Sequence, residues 1–251
     1  MFKFLSEIGK YFILLGNVFS KPDKKNIFRQ QLVFEIDKIG IDSLGIVMII
    51  SIFMGGVVAI QTAFNIDSPW FPLYSVGYTV RQSVILEFSP TIVSLILAGK
   101  VGSRIASEIG TMRVTEQIDA MEVSAINPFK YLVVTRVFAT TISIFLLSLH
   151  YSFFGLLGAY TNVYSNEGIS IISFLHNALD SIGFLDIFTF IFKSIVYGFT
   201  IGIVGTYKGF NATQGTRGVG KAANQAVVLS IFLIFIEELL IVQVANVIRY
   251  L

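Results

Sequence analysis

Charged residues at three positions interrupt otherwise apolar stretches of the 251-residue chain. Glu87 lies near the start of one stretch, Lys193 lies early in another, and Glu237 and Glu238 lie in the middle of a third. A charged side chain at the centre of a bilayer costs about 2.5–3.5 kcal/mol on insertion scales. A carboxylate that faces a lysine across a helix bundle keeps both groups charged at lower cost. Only one of the two adjacent glutamates can face a given partner, because neighbours on a helix point about 100° apart.

These charges have two possible roles. They can form the polar lining of a substrate cavity, or they can form an ion pair between helices that serves only the fold. The residue types and positions leave both roles open.

Motifs for catalysis or cofactor binding do not accompany these charges. Neither H-E-x-x-H nor G-x-S-x-G occurs. His150 and His176 are too far apart, and too poorly supported by Asp, Glu or Cys at ligand spacing, to indicate a metal site. Residues 215–222 fit G-x-x-x-x-G-K, but Ala222 stands where a nucleotide-binding loop has Ser or Thr, and an apolar stretch precedes the motif. We therefore predict no catalytic residue, no metal and no cofactor, and we interpret 215–222 as a flexible basic turn.

The composition indicates an all-α membrane protein. Hydrophobic residues make up 54% of the chain and charged residues 14%, whereas soluble domains carry roughly 25% charged residues. The chain has no Cys, which excludes a disulfide scaffold, and its net charge of +2 is too small to indicate a nucleic-acid partner. Since a spanning helix needs about 20 apolar residues, we predict five spans. They cover residues 44–64, 83–101, 132–160, 187–207 and 226–247.

The segment before the first span differs in composition from the rest of the chain. Residues 1–43 mix apolar and basic side chains at helical spacing, which predicts an interfacial helix ahead of a permease domain at 44–251. A cleaved signal peptide is the alternative, but the apolar run is short and no small-residue cleavage site follows it. Lys and Arg concentrate in this segment and in the loops after the second and fourth spans, so we expect a cytoplasmic amino terminus and a periplasmic carboxyl terminus.

Two further patterns concern contacts between helices. Residues 103–131, on the cytoplasmic side, predict a helix that ends at Asn127 and Pro128. Glycines spaced four apart at 198–202 and 205–209 allow two helix backbones to approach closely, as does the pair at 55–56. These glycines fit packing within one chain or a seam between two copies.

Several sequence runs carry a specific resemblance. They are residues 87–91, 98–122, 127–137, 207–209, 218–220 and 226–228, including Glu87-Phe-Ser-Pro-Thr91, Ala106-Ser-Glu-Ile-Gly110 and Thr115-Glu-Gln-Ile-Asp119. In these runs the chain resembles the MlaE-type permeases, the membrane subunits of ABC transporters that move phospholipids between bacterial membranes. It departs from many members at Leu86, where they have Arg, at Glu238, where they have Asp, and at Thr135, where Pro is common.

The resemblance implies a complete transport assembly in the bacterial inner membrane. Each permease of a homodimer would have an interfacial helix and five spanning helices, with a cytoplasmic ABC ATPase that binds ATP and a periplasmic MCE lipid-binding protein. Glu87, Lys193 and Glu238 would line a phospholipid pocket at the dimer interface.

A permease without an ATPase of its own must receive movement from its partner. We expect the cytoplasmic helix between the second and third spans to seat in a groove on that ATPase. The candidate coupling residues are Arg113, Glu116, Gln117, Asp119 and Glu122.

Two other functions fit part of the pattern. In an ion-coupled secondary transporter, Glu87, Lys193 and Glu238 would relay protons or sodium ions, but no inverted repeat relates the spans and their number is odd. A membrane scaffold without transport would explain the cytoplasmic helix but would leave the three charges without a purpose.

Overall fold

The architecture is a bundle of long helices in a computed structural model that describes residues 25–65, 75–167, 170–180, 182–213 and 215–249, together with Gly9 and Gly16. We number the helices in chain order. They are α1 (Lys25–Asn65), α2 (Val76–Val114), α3 (Gln117–Val123), α4 (Phe129–Tyr164), α5 (Ile171–Leu179), α6 (Phe184–Phe210) and α7 (Gly215–Arg249). Within these ranges there is no β-strand.

Five of the helices, α1, α2, α4, α6 and α7, are long and apolar enough to cross a membrane. Each contains one of the five predicted spans, so the predicted all-α fold with five spans is confirmed. The two short helices, α3 and α5, lie at opposite ends of the bundle, because each connects neighbouring spans.

Helix α1 runs without a break across the boundary at residues 43 and 44. Its 41 residues give a length of about 61 Å, twice the roughly 30 Å of a bilayer core. The first half of α1 therefore extends beyond the membrane as a continuation of the first span. Of the predicted interfacial segment, residues 1–8, 10–15 and 17–24 lie outside the described residues.

A charge network fixes this extension of α1 to its neighbours. The ammonium of Lys38 lies 2.6 Å from the carboxylate of Glu108 on α2. Arg136 on α4 reaches the same carboxylate at 3.3 Å and that of Glu35 at 3.4 Å. Glu35 is 2% exposed, so its charge depends on Arg136, and breaking such a buried pair is costly.

Close glycine contacts join the spans within one chain. A Cβ atom at Gly55 of α1 would collide with the backbone of Gly155 on α4. On α6, a Cβ at Gly198 would lie 2.6 Å from the Cα of Thr141, again on α4. The structure thus places these glycines at contacts within the monomer, and they do not form the seam between copies that the sequence left open.

Helix α7 is the least covered span. Only 11% of its apolar window is buried, compared with 67% for α4. A narrow stripe that includes Ala226, Ser230 and Ile234 faces the bundle. Large apolar side chains cover the rest, including Phe232, Phe235, Leu239, Leu240 and Val244.

Two local expectations were wrong. The segment predicted to be a cytoplasmic helix is not one helix, because α2 ends at Val114 and Glu116 adopts a left-handed conformation with φ 61° before α3 begins. A continuous helix cannot pass through that dihedral. Residues 215–222 are not a flexible turn, since they form the first two turns of α7, where a Cβ at Gly218 would collide with the backbone of Thr213.

The contact between α1 and α4 can be tested with two glycines of the same helix. Gly55→Ala should destabilise the protein by about 1–3 kcal/mol, because the added methyl group meets backbone that cannot move aside. Gly45→Ala should leave stability unchanged or raise it by up to about 1 kcal/mol, since a Cβ there meets nothing within 4 Å. Melting temperatures of the purified variants in detergent measure both effects, and equal values would contradict the close approach.

Candidate functional site

The structure brings the three charges predicted from the sequence into one ion triad. The ammonium nitrogen of Lys193 on α6 lies 2.6 Å from Oε2 of Glu87 on α2 and 2.7 Å from Oε1 of Glu238 on α7. Both distances are those of charge-assisted hydrogen bonds. Three spans that are distant in sequence are thereby joined at one point.

The three members of the triad differ in exposure. Lys193 is 2% exposed, so neighbouring side chains cover its ammonium almost completely. The side chain of Glu238 is 20% exposed and that of Glu87 is 37% exposed. Glu87 is therefore the member that a molecule outside the bundle can reach first.

Hydroxyl groups complete the coordination of Glu238. Thr91 donates a hydrogen bond of 3.0 Å to its Oε2, and the hydroxyl of Tyr197 donates to the same oxygen. Each hydroxyl residue lies one helical turn after a charged residue, Thr91 after Glu87 and Tyr197 after Lys193. Such i, i+4 pairs share a helix face, and this spacing is the signal by which the sequence could have identified them.

The adjacent glutamate, Glu237, points elsewhere. Its Oε1 accepts a hydrogen bond of 2.6 Å from Thr200, and its Oε2 is buried without a hydrogen-bond partner. Glu238 is therefore the glutamate that faces Lys193.

The helix geometry around Glu87 is unusual. Residues 81–88 of α2 form a π-helical segment, and a second one covers residues 98–102. A π-helical turn holds an extra residue and rotates the side chains that follow, and such turns are frequent at functional sites. This widened turn sets the direction in which the carboxylate of Glu87 leaves α2.

The triad lies well inside the spans, toward the ends opposite the basic loops. Lys193 is the tenth residue of α6, and Glu238 lies eleven residues before the last residue of α7. At 1.5 Å per residue, both lie about 15 Å from those helix ends. A polar cluster at this depth can receive the polar part of an amphipathic molecule whose tails remain in lipid.

The candidate coupling residues surround α3 at the other end of the bundle. Glu116, Gln117, Asp119 and Glu122 are exposed, and Arg113 is half-buried. Arg113 lies 2.5 Å from the carboxylate of Asp119, an ion pair that closes the break between α2 and α3. The sequence did not predict this pair, because it depends on the reversal of the chain at Glu116.

Two apolar side chains determine how α3 packs against the bundle. Ile118 is fully buried and anchors the helix against the bundle, whereas Val123 is 89% exposed. Large apolar residues at that exposure commonly mark contact surfaces when polar residues surround them. Helix α3 therefore presents an acidic surface with an apolar tip away from the membrane.

Comparison with known proteins gives consistent matches over nearly the whole chain. The family described as Permease MlaE matches residues 32–244. A probable ABC transporter permease protein of Rickettsia typhi is 33% identical over 245 residues, which cover 96% of this chain and 93% of that protein. A protein of the same description from Synechocystis sp. is 35% identical over 231 residues, covering 90% and 86%. The intermembrane phospholipid transport system permease protein MlaE of Haemophilus influenzae is 26% identical over 228 residues, also covering 90% and 86%.

The ion triad predicts that neutralising Lys193 alone destabilises the protein more than neutralising all three charged residues. Lys193→Met should destabilise the protein by about 3–5 kcal/mol, because two carboxylates remain together without a cation. Adding Glu87→Gln and Glu238→Gln to Lys193→Met should recover most of that loss, since no uncompensated charge remains in the triad.

Lys221→Met is the matched control, because Lys221 is exposed at the start of α7 and should change the melting temperature little. Thermal unfolding in detergent measures all four proteins. A Lys193→Met variant that melts with the wild type would contradict the triad.

Proposed function

Because the chain belongs to the MlaE permease family, we propose that it is the membrane permease of an ABC transporter that moves phospholipid between the inner membrane and a periplasmic MCE lipid carrier. The observation that carries this proposal is the ion triad, a polar cluster deep inside the spans with one partly exposed carboxylate, Glu87. The phospholipid assignment draws on the name of the Haemophilus influenzae relative, an intermembrane phospholipid transport system permease protein. Family membership favours ATP-driven transport over the ion-coupled alternative.

The triad can bind a lipid headgroup by exchange. Lys193 is 2% exposed and its ammonium lies between two carboxylates, so we expect a phosphate to reach it by displacing one of them. Glu87 is the more exposed carboxylate. Among the described residues, the hydroxyl groups of Thr91 and Tyr197 donate to Glu238, whereas no hydroxyl group donates to Glu87. We expect the lipid phosphate to displace Glu87 while Glu238 stays bound to Lys193.

This exchange suits transport because the ammonium of Lys193 has an anionic partner both before and after the lipid binds. A lysine acts as a flexible point charge for phosphate, and it exchanges one anion for another without being left unpaired. The net charge of the triad, two carboxylates and one ammonium, also disfavours anions that do not displace a carboxylate. The lipid is then held only as long as Glu87 is turned away, which allows release.

The energy source is a separate subunit. We propose that a cytoplasmic ABC ATPase binds ATP and receives α3 in a groove, with the acidic residues of α3 facing basic residues of that groove. The network of Lys38, Glu108, Arg136 and Glu35 links α2 and α4 to the extension of α1. Movement imposed on α3 would therefore reach three spans together.

The remaining features of the assembly are proposed on the same basis. The permease would form a homodimer in the bacterial inner membrane, with the amino terminus cytoplasmic and the carboxyl terminus periplasmic. Helix α7 has a broad uncovered apolar face and carries Glu238. A second copy that covers this face would close the lipid pocket at the dimer interface.

The lipid role is tested by the neutral triad, the variant with Lys193→Met, Glu87→Gln and Glu238→Gln. It should fold and bind the ATPase, yet transport and co-purified phospholipid should fall at least about tenfold, because a charge-assisted bond to phosphate contributes about 1.5–3 kcal/mol. Lipid mass spectrometry and transport between reconstituted vesicles provide the two measurements.

Glu237→Gln is the control, since Glu237 lies beside the triad but outside it, and it should transport lipid like the wild type. Full transport by the neutral triad would show that the charges serve only the fold.

The coupling role is tested by reversing charge on α3. Glu116→Lys combined with Glu122→Lys should weaken binding of the ATPase at least about tenfold, because like charges would then face each other across the contact. Both residues are exposed and neither belongs to the Arg113–Asp119 pair, so the fold of the segment should persist. Asp37→Lys, at an exposed site on α1, is the control. Co-purification of an intact complex with the α3 variant would contradict this docking.

A further inference from the structure

A buried arginine lies at the end of the bundle that is opposite α3. Arg81, the first residue of the π-helical segment of α2, is 3% exposed. Its Nη1 donates a hydrogen bond to the backbone carbonyl of Asp180, just after α5, and its guanidinium carbon lies 4.5 Å from the centre of the Tyr78 ring. Both partners are electrically neutral.

No carboxylate within the described ranges lies within 4.0 Å of this guanidinium, and its Nε is buried without a hydrogen-bond partner. The other buried arginine in those ranges, Arg136, lies within 3.4 Å of the carboxylates of Glu35 and Glu108. A guanidinium always carries its charge, and an unpaired buried charge is expensive. Within the part of the chain that the structure describes, this charge therefore has no anionic partner.

The position of Arg81 indicates which anion fits. It precedes Glu87 by six residues on α2, so it lies up to about 9 Å nearer to the membrane surface than the triad. Exposed apolar side chains surround this end of the bundle, notably Ile172 of α5 at 77% and Phe184 of α6 at 85%. An anion that arrives among such side chains must carry apolar tails.

We propose that Arg81 is a second anion-binding position, which holds the phosphate of a phospholipid between the membrane surface and the ion triad. A guanidinium matches phosphate oxygens with two parallel hydrogen bonds, and Nε is one of the donors for such a pair. The lipid assignment rests on the proposed function, whereas the anion site rests on Arg81 itself.

The test measures phospholipid binding to the full-length permease in detergent by native mass spectrometry. The probes are phosphatidylglycerol, diacylglycerol, which lacks the phosphate, and inorganic phosphate as a competitor. Arg81→Met should lower affinity for phosphatidylglycerol at least about tenfold, Arg81→Lys should retain part of it, and diacylglycerol should bind all variants alike. Arg249→Met is the control, because Arg249 lies at the same end but pairs with Asp186.

Three results would overturn the proposal. Unchanged phosphatidylglycerol binding by Arg81→Met would show that no lipid is held there. A large loss of melting temperature in Arg81→Met that Arg81→Lys restores, without restoring phosphatidylglycerol binding, would show that the arginine serves only the fold. Competition by inorganic phosphate at the affinity of the lipid would assign the site to a soluble anion. If only the Arg81 proposal is wrong, the wild-type protein still transports phospholipid. If the proposed function is wrong, the wild-type protein does not transport phospholipid.

Discussion

The ammonium of Lys193 is buried deep inside a membrane-spanning bundle, where a single charge is unstable without partners. Glu87 and Glu238 supply those partners from two other spans, and both must lie within about 3 Å to do so. This requirement fixes the relative height and rotation of α2, α6 and α7, which large apolar surfaces alone would leave free to slide. The same requirement makes the cluster responsive, because an anion that approaches Lys193 competes directly with the carboxylates that hold the helices together.

The rest of the bundle holds the helices rigidly while an anion and the two carboxylates compete for Lys193. Close backbone contacts at Gly55 and Gly198 place α4 between α1 and α6, and tightly packed helices respond to strain as units. At the end of the bundle that carries α3, Arg136 and Glu108 join α4 to α2, the helix that leads into α3. In the proposed mechanism, movement at α3 and anion exchange at Lys193 would therefore act on one connected set of spans.

The sequence predicted the features whose physical cause is local. Apolar length identified five spans, and the cost of charge in lipid singled out Glu87, Lys193 and the pair Glu237 and Glu238. The family resemblance selected Glu238 from that pair, and the structure brings it together with Glu87 and Lys193. Two other features could not be predicted. The left-handed Glu116 splits the cytoplasmic helix that the sequence predicted, and the ion pair between Arg136 and Glu35 joins segments that are far apart in the chain. Thr91 and Tyr197 could be predicted in part. Their spacing places them on the same helix faces as Glu87 and Lys193, but it does not indicate that both donate to Glu238.

The central claim is that a phosphate replaces Glu87 at Lys193. The most direct measurement is the position of lipid phosphorus in a structure of the assembled transporter determined by cryo-electron microscopy with phospholipid bound. Our account predicts phosphorus within about 4 Å of the Lys193 ammonium, with Glu238 still paired and Glu87 rotated away. A bound lipid whose phosphate lies elsewhere, with both carboxylates still on Lys193, would contradict it.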